Sequence, residues 1–157
     1  MTLKLVIDED DALKGLRYAV KTKGPGYLYE SPIEDASACV YVAEDGDGAL
    51  YPACIGGVAL YHLGVPLEMM YPDGNDESIA GLAETLKPRG YVITRGAIAV
   101  IRAAQQVQDA ALKDDMDEES RARLRARFPD ASWGAALRAA HNKLMEMRAA
   151  RVSDPAS

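Results

Sequence analysis

Cysteine is scarce in this chain: two among 157 residues, Cys39 and Cys54. A disulfide framework is excluded, and at most one bridge can form within the chain. Histidine is limited to His62 and His141, which leaves little material for general-base or metal chemistry. Aromatics make up only 6%, with one Trp and one Phe. Long apolar runs are missing too, because Lys, Arg, Asp or Glu interrupts every hydrophobic stretch before the roughly 18 residues of a membrane span. The opening MTLKLVIDEDD runs from a short apolar stretch straight into acids, whereas an export signal needs an apolar segment of about 7–15 residues. Together these shortages lead us to expect a cytoplasmic protein with no membrane segment.

What is present is ordinary in amount and uneven in distribution. The chain is 48% hydrophobic and 27% charged, with a net charge of −6. Its length suits one domain, since domains cluster at about 100–150 residues; we expect a single globular unit over residues 1–151 and a frayed tail over 152–157. Residues 1–88 hold 6 Lys and Arg against 15 Asp and Glu, while residues 89–157 hold 12 against 9. The first part therefore carries −9 and the second +3. Such polarity fits solvated helix faces, an internal complement between layers, or a basic surface for an anionic partner.

Local patterns predict a mostly helical chain. Residues 3–7 read as a strand, and Asp8 as the N-cap of a helix reaching about Thr22, with Ala12, Leu13, Leu16, Ala19 and Val20 at helical spacing. Gly24-Pro25-Gly26 ends it. Residues 27–30 and 38–43 read as short strands and 44–48 as a turn. Helices are then expected at 53–63 after Pro52, at 76–86, at 95–112 behind Thr94, at 114–127, and from Asp130 or Ser132 onward. The expected fold is a mostly helical α+β domain in which a small antiparallel sheet from 3–7, 27–30 and 38–43 packs against a helix bundle.

Several constellations invite a chemical reading. Cys54 opens a predicted helix, where the dipole favours thiolate, so a cysteine-dependent enzyme with Cys54 as nucleophile is one alternative. His62 lies about 12 Å down the same helix and only His141 could serve it; a small buried hydrophobe is the plainer role. The cysteines and His62 lack zinc spacing. Asp73-Gly74-Asn75-Asp76-Glu77 imitates a calcium loop, but Ser78 stands where the turn needs glycine. No phosphate-cradling glycine motif occurs. A DNA-binding regulator using helices 77–86 and 95–112, with Lys87, Arg89, Arg95 and Arg102 toward phosphates, is the other alternative, although its connection is long. The arginines of 120–127 read as a solvated helix laced with acids, with Asp117 in reach of Arg121 and Glu119 of Arg123. No cofactor, metal or catalytic set is expected.

In the last helix, Trp133, Leu137, Ala140, Leu144 and Met147 follow heptad spacing over barely two heptads. The seam either packs on its own domain or joins two copies as a homodimer. Certain strings carry a resemblance: Cys39-Val40-Tyr41-Val42, Pro52-Ala53-Cys54-Ile55-Gly56, Ala59-Leu60, Leu63-Gly64-Val65-Pro66-Leu67-Glu68, Ala104-Gln105-Gln106-Val107-Gln108-Asp109 and Ser132-Trp133-Gly134-Ala135-Ala136-Leu137. They resemble small proteins of actinobacteriophages and their actinobacterial hosts, a group with no assigned activity, in which residues 113–130 would be an insertion. The resemblance implies a setting, the host cytoplasm, rather than a mechanism. The reading that follows is a non-enzymatic interaction or regulatory protein that binds a host or self protein partner.

Overall fold

Residues 2–32, 40–112 and 117–153 are described by a computed structural model, and every structural statement concerns these. Strand β1 (Leu5–Ile7) runs into helix α1 (Glu9–Lys23), and the turn between them is Asp8. Its carboxylate accepts from the Asp11 N–H at 2.9 Å while the Asp11 carboxylate accepts from the Asp8 N–H at 3.1 Å. This reciprocal box satisfies donors that the first helical turn would otherwise leave open. The same construction recurs after strand β4 (Tyr91–Ile93), where Thr94 caps α4 (Arg95–Asp109) through the Ala97 N–H. β1 and β4 pair in parallel, Leu5 opposite Tyr91 and Ile7 opposite Ile93. Two strand-to-helix units therefore start α1 and α4 side by side.

A second, antiparallel pair joins β2 (Val42–Glu44) to β3 (Leu50–Pro52), with Val42 opposite Pro52. From it the chain enters α2 (Ile55–Leu63), capped by Cys54, and ends that helix at Gly64, whose φ of 113° is the left-handed conformation glycine tolerates best. Two single 3₁₀ turns, Leu67–Met69 and Asp73–Asp76, lead to α3 (Ile79–Leu86). The chain then crosses α5 (Glu118–Arg127) and ends in α6 (Trp133–Ser153). Helices α1, α2, α4 and α6 pack on one another. One continuous core between them holds Leu16, Leu60, Ile101 and Trp133. α5 buries none of its residues. A mostly helical α+β domain is what the sequence led us to expect.

The sheet is not the one expected. Residues 27–30 form no strand: Tyr27 offers its carbonyl to the Trp133 N–H at 2.9 Å, and buried Tyr29 accepts the Val40 N–H on its hydroxyl at 3.2 Å. These tyrosines anchor through side chains and single carbonyls instead of a ladder. β1 finds its partner 86 positions away in a three-residue strand, too short to show the period-two alternation that marks strands. The strand expected over 38–43 begins at Val42, and residues 33–39 lie outside the described ones. Pro52 closes β3 rather than opening α2, a position at the end of a strand where a missing N–H costs little. α6 continues through Ser153, so the expected tail from 152 starts inside its last turn.

Helix ends meet at one side chain. The Gln108 carboxamide oxygen accepts from the Ile55 N–H at 2.7 Å and from the Trp133 indole N–H at 3.1 Å. It thereby joins the C-terminal end of α4 to the starts of α2 and α6. Gln108→Ala would leave two buried donors without their acceptor, at about 1–3 kcal/mol each. Urea unfolding should show a loss of about 2–4 kcal/mol with an unchanged m-value, against a change within about 0.5 kcal/mol for Gln106→Ala on the exposed side of the same helix.

Candidate functional site

The expected interaction seam is occupied from within the chain. Trp133, Ala140 and Leu144 are buried in the core, and Leu137 and Met147 pack against it half-exposed. Their helix lies on α4 and α1. The Trp133 ring meets Tyr27 edge-on at 4.7 Å. The Trp133 and Gly134 N–H groups donate to the Tyr27 and Pro25 carbonyls, so even the helix start is tied to its own domain. Heptad spacing here reports an intramolecular contact, and the dimer expected through these five residues loses its surface.

Cys54 is not the free thiol that a nucleophile requires: it is disulfide-bonded and fully buried. The sequence has one other cysteine, Cys39, outside the described residues. Cys54 Sγ also accepts the Gly57 N–H at 3.4 Å, with Gln105 Nε2 at 3.9 Å. The thiolate expected from the helix dipole is replaced by a sulfur acting as N-cap. A Cβ at Gly57 would collide with the Tyr41 carbonyl, so this close approach requires glycine. Burial pushes the hydroxyls of Tyr41 and Tyr29 up to about 12, and both stay protonated near neutrality.

Other sequence candidates are resolved by geometry. The calcium-like stretch folds as the turn Asp73–Asp76, where Asn75 accepts from the Val42 N–H at 3.1 Å and donates to the Val42 carbonyl at 2.7 Å. This side chain stands in for a neighbouring strand at the edge of β2. Among the described residues no group of three His, Cys, Asp or Glu could hold a metal. The helices proposed for DNA are separated by the turn Lys87–Arg89 and by β4, which is paired in a sheet. They do not form a helix–turn–helix. Glu119 pairs with Arg123 at 3.0 Å as expected, while Asp117 accepts the Ser120 N–H as the N-cap of α5. No helix is long and apolar enough to cross a membrane, among the described residues.

Part of the charge division is met inside the chain. Arg148 pairs with Asp10, and Arg151 reaches Glu9 at 3.0 Å, fastening the end of α6 to the first turn of α1. A hydrogen bond from its own backbone and then the Arg151 guanidinium hold the Glu9 carboxyl below its ordinary 4.5. The Asp11 backbone N–H does the same for Asp8. All four acids of this turn are thus engaged by the chain itself.

The outer face of α1 is different, and sequence reasoning passed over it. Lys14, Arg17, Tyr18 and Lys21 are exposed at spacings of three, four and seven, opposite the buried stripe. Gly15 lets α1 approach Ala59 of α2 to 3.0 Å from its would-be Cβ. One turn on, Tyr18 stacks on His62 at 3.7 Å with the rings 10° apart. Tyr18 remains 41% exposed and Tyr61 49% exposed. Among the described residues, none of Lys14, Arg17 and Lys21 enters an ion pair. The signal was a tyrosine at the centre of a basic polar stripe. Comparison with protein-family models, curated proteins and solved structures finds no match.

Two measurements follow. Peptide mass mapping after iodoacetamide should leave Cys54 unmodified in denatured, unreduced protein and modify it once reduced; alkylation without reductant would restore the thiol reading. Carboxyls held low in the folded state stabilise it above their ordinary values and lose that contribution as pH falls through the folded values. Stability should therefore decline below about pH 4.5, the ordinary Glu9 value, with a shallower decline in Arg151→Gln. At neutral pH that variant should lose no more than about 1 kcal/mol, because the pair is partly solvated.

Proposed function

We propose that this chain is a non-enzymatic interaction protein that binds a protein partner through the outer face of α1 and α2. The observation that carries the reading is the exposed Tyr18–His62 stack. Exposed tyrosines combine apolar area with a polar tip at small entropic cost, which suits them to interfaces. Trp133, Tyr29, Tyr41 and Tyr91 are buried in the core, and Tyr51 is exposed on β3. Disulfide bonding of Cys54 counts against the cysteine-enzyme alternative, and the intervening β4 counts against the helix pair of the DNA alternative.

The resemblance to small actinobacteriophage proteins supports a host protein as the partner and the host cytoplasm as the place. The disulfide bears on the place, since reducing cytoplasms keep most thiols reduced. Cys54 trapped as a thiol in freshly lysed cells would favour the cytoplasm, and Cys54 trapped oxidised would move the proposal to an oxidising compartment.

Affinity capture from a host lysate tests the interaction. The natural chain should retain a stoichiometric protein that the variant Tyr18→Ala loses while keeping its urea midpoint. Identical capture by both chains, or none by either, overturns the reading.

A further inference from the structure

Resting on that reading, we infer that the partner presents an acidic segment carrying an aromatic or large apolar side chain, docked along Lys14, Arg17 and Lys21 beside Tyr18. The charge of the face selects this chemistry. Residues 1–88 contain only 6 Lys and Arg; Lys14, Arg17 and Lys21 stand together on one exposed helix face. α2 carries no acid to neutralise them, its sequence being IGGVALYHL. The acids of the α1 first turn are committed elsewhere: Asp8 and Asp11 to each other's backbone, Asp10 to Arg148 and Glu9 to Arg151. Behind the Asp11 backbone N–H, Lys14 helps to hold the Asp8 carboxyl low, while Arg17 and Lys21 enter no ion pair among the described residues, and all three are exposed.

Patch size separates a peptide from a nucleic acid. Lys14 to Lys21 spans about 10 Å of helix at roughly 1.5 Å per residue, the length of about three extended peptide residues. Just beyond Lys14, exposed Asp10 stands at the N-terminal margin. A continuing phosphate backbone would run onto that acidic turn, whereas a short acidic segment ends before it. The aromatic edge adds what simple counter-ion attraction lacks, because Tyr18 exposes ring surface on the same helix face as the charges. Charge would govern encounter and orientation, and ring contact would govern residence.

Fluorescence anisotropy on the full chain tests this with four labelled probes. They are an Asp/Glu peptide of about five residues containing one Phe, its Phe→Ala counterpart, a lysine peptide of about the same length, and an oligothymidine of about equal charge, the peptide lengths being matched to the roughly 10 Å face. The Phe-containing acidic peptide should bind saturably, more tightly than its alanine counterpart, and more weakly as salt rises past a Debye length of about 8 Å. Neutralising Lys14→Gln, Arg17→Gln and Lys21→Gln together should weaken it roughly tenfold, as expected for three exposed charge contacts of a few-fold each. Lys87→Gln with Arg89→Gln, exposed cations elsewhere, should leave it unchanged. Circular dichroism confirms that the variants fold.

Equal or tighter binding of the oligothymidine overturns the inference in favour of a phosphate surface. Salt-sensitive dimers in sedimentation that vanish in the neutralised variant overturn it in favour of a second copy. No acidic-peptide binding, while capture still depends on Tyr18, removes the acidic partner and leaves the interaction reading standing. Loss of both removes both.

Discussion

One carboxamide oxygen sets the arrangement of the helices. Gln108, fully buried near the end of α4, accepts from the first N–H of α2 and from the indole of the residue that opens α6. Helix starts carry N–H groups that their own helix cannot satisfy, and a buried start must find acceptors elsewhere. α2 finds them in Gln108 and in Cys54 Sγ. α6 finds them in the carbonyls of Pro25 and Tyr27 and in Ser132 Oγ. The acceptors come from α4, from the strand-to-helix junction and from the loop after α1, so these regions must assemble together for the starts of α2 and α6 to be satisfied.

This explains why the chain buries polar glutamines in a helical core. Gln105 and Gln108 lie one turn apart on α4, both on the buried face. Gln105 faces Gly56, where a side chain would contact it, and Gln108 faces Ile55. Tyr41, Cys54-Ile55-Gly56, Gln105, Gln108 and Trp133 meet at this place. They are scaffold residues here, and the exposed face of α1 lies outside them.

Local chemistry was legible in the sequence where it was self-contained. The Asp8 and Thr94 caps, the Gly64 stop and the inward stripe of α1 depend on neighbours within a few residues, and each stands as read. Pairings between distant segments were not legible. β1 and β4 are three residues long and owe their conformation to each other. Tyr27 and Tyr29 suit a strand by propensity, yet one supplies a carbonyl to α6 and the other a hydroxyl to Val40. The seam from Trp133 to Met147 was read from its spacing, but spacing does not say whether the partner helix belongs to the same chain. Cys54 shows the same limit, since its helix-start position was visible and its bonding was not.

The net charge of −6 resolves into two different uses of α1. Its first turn is acidic and turned toward the chain, held by its own capping box and by Arg148 and Arg151 from the far end of the sequence. Its later turns are basic and turned outward, with Tyr18 steadied by His62. Helix polarity favours this order, because acids suit the N-terminal end and cations the C-terminal end. The dipole accounts for Lys21 and Lys23 in the last turn, but it has no bearing on Lys14 and Arg17 in mid-helix or on a tyrosine left in solvent between them. Those three are the residues that the fold does not require, and for that reason the search for function belongs on their face of the molecule.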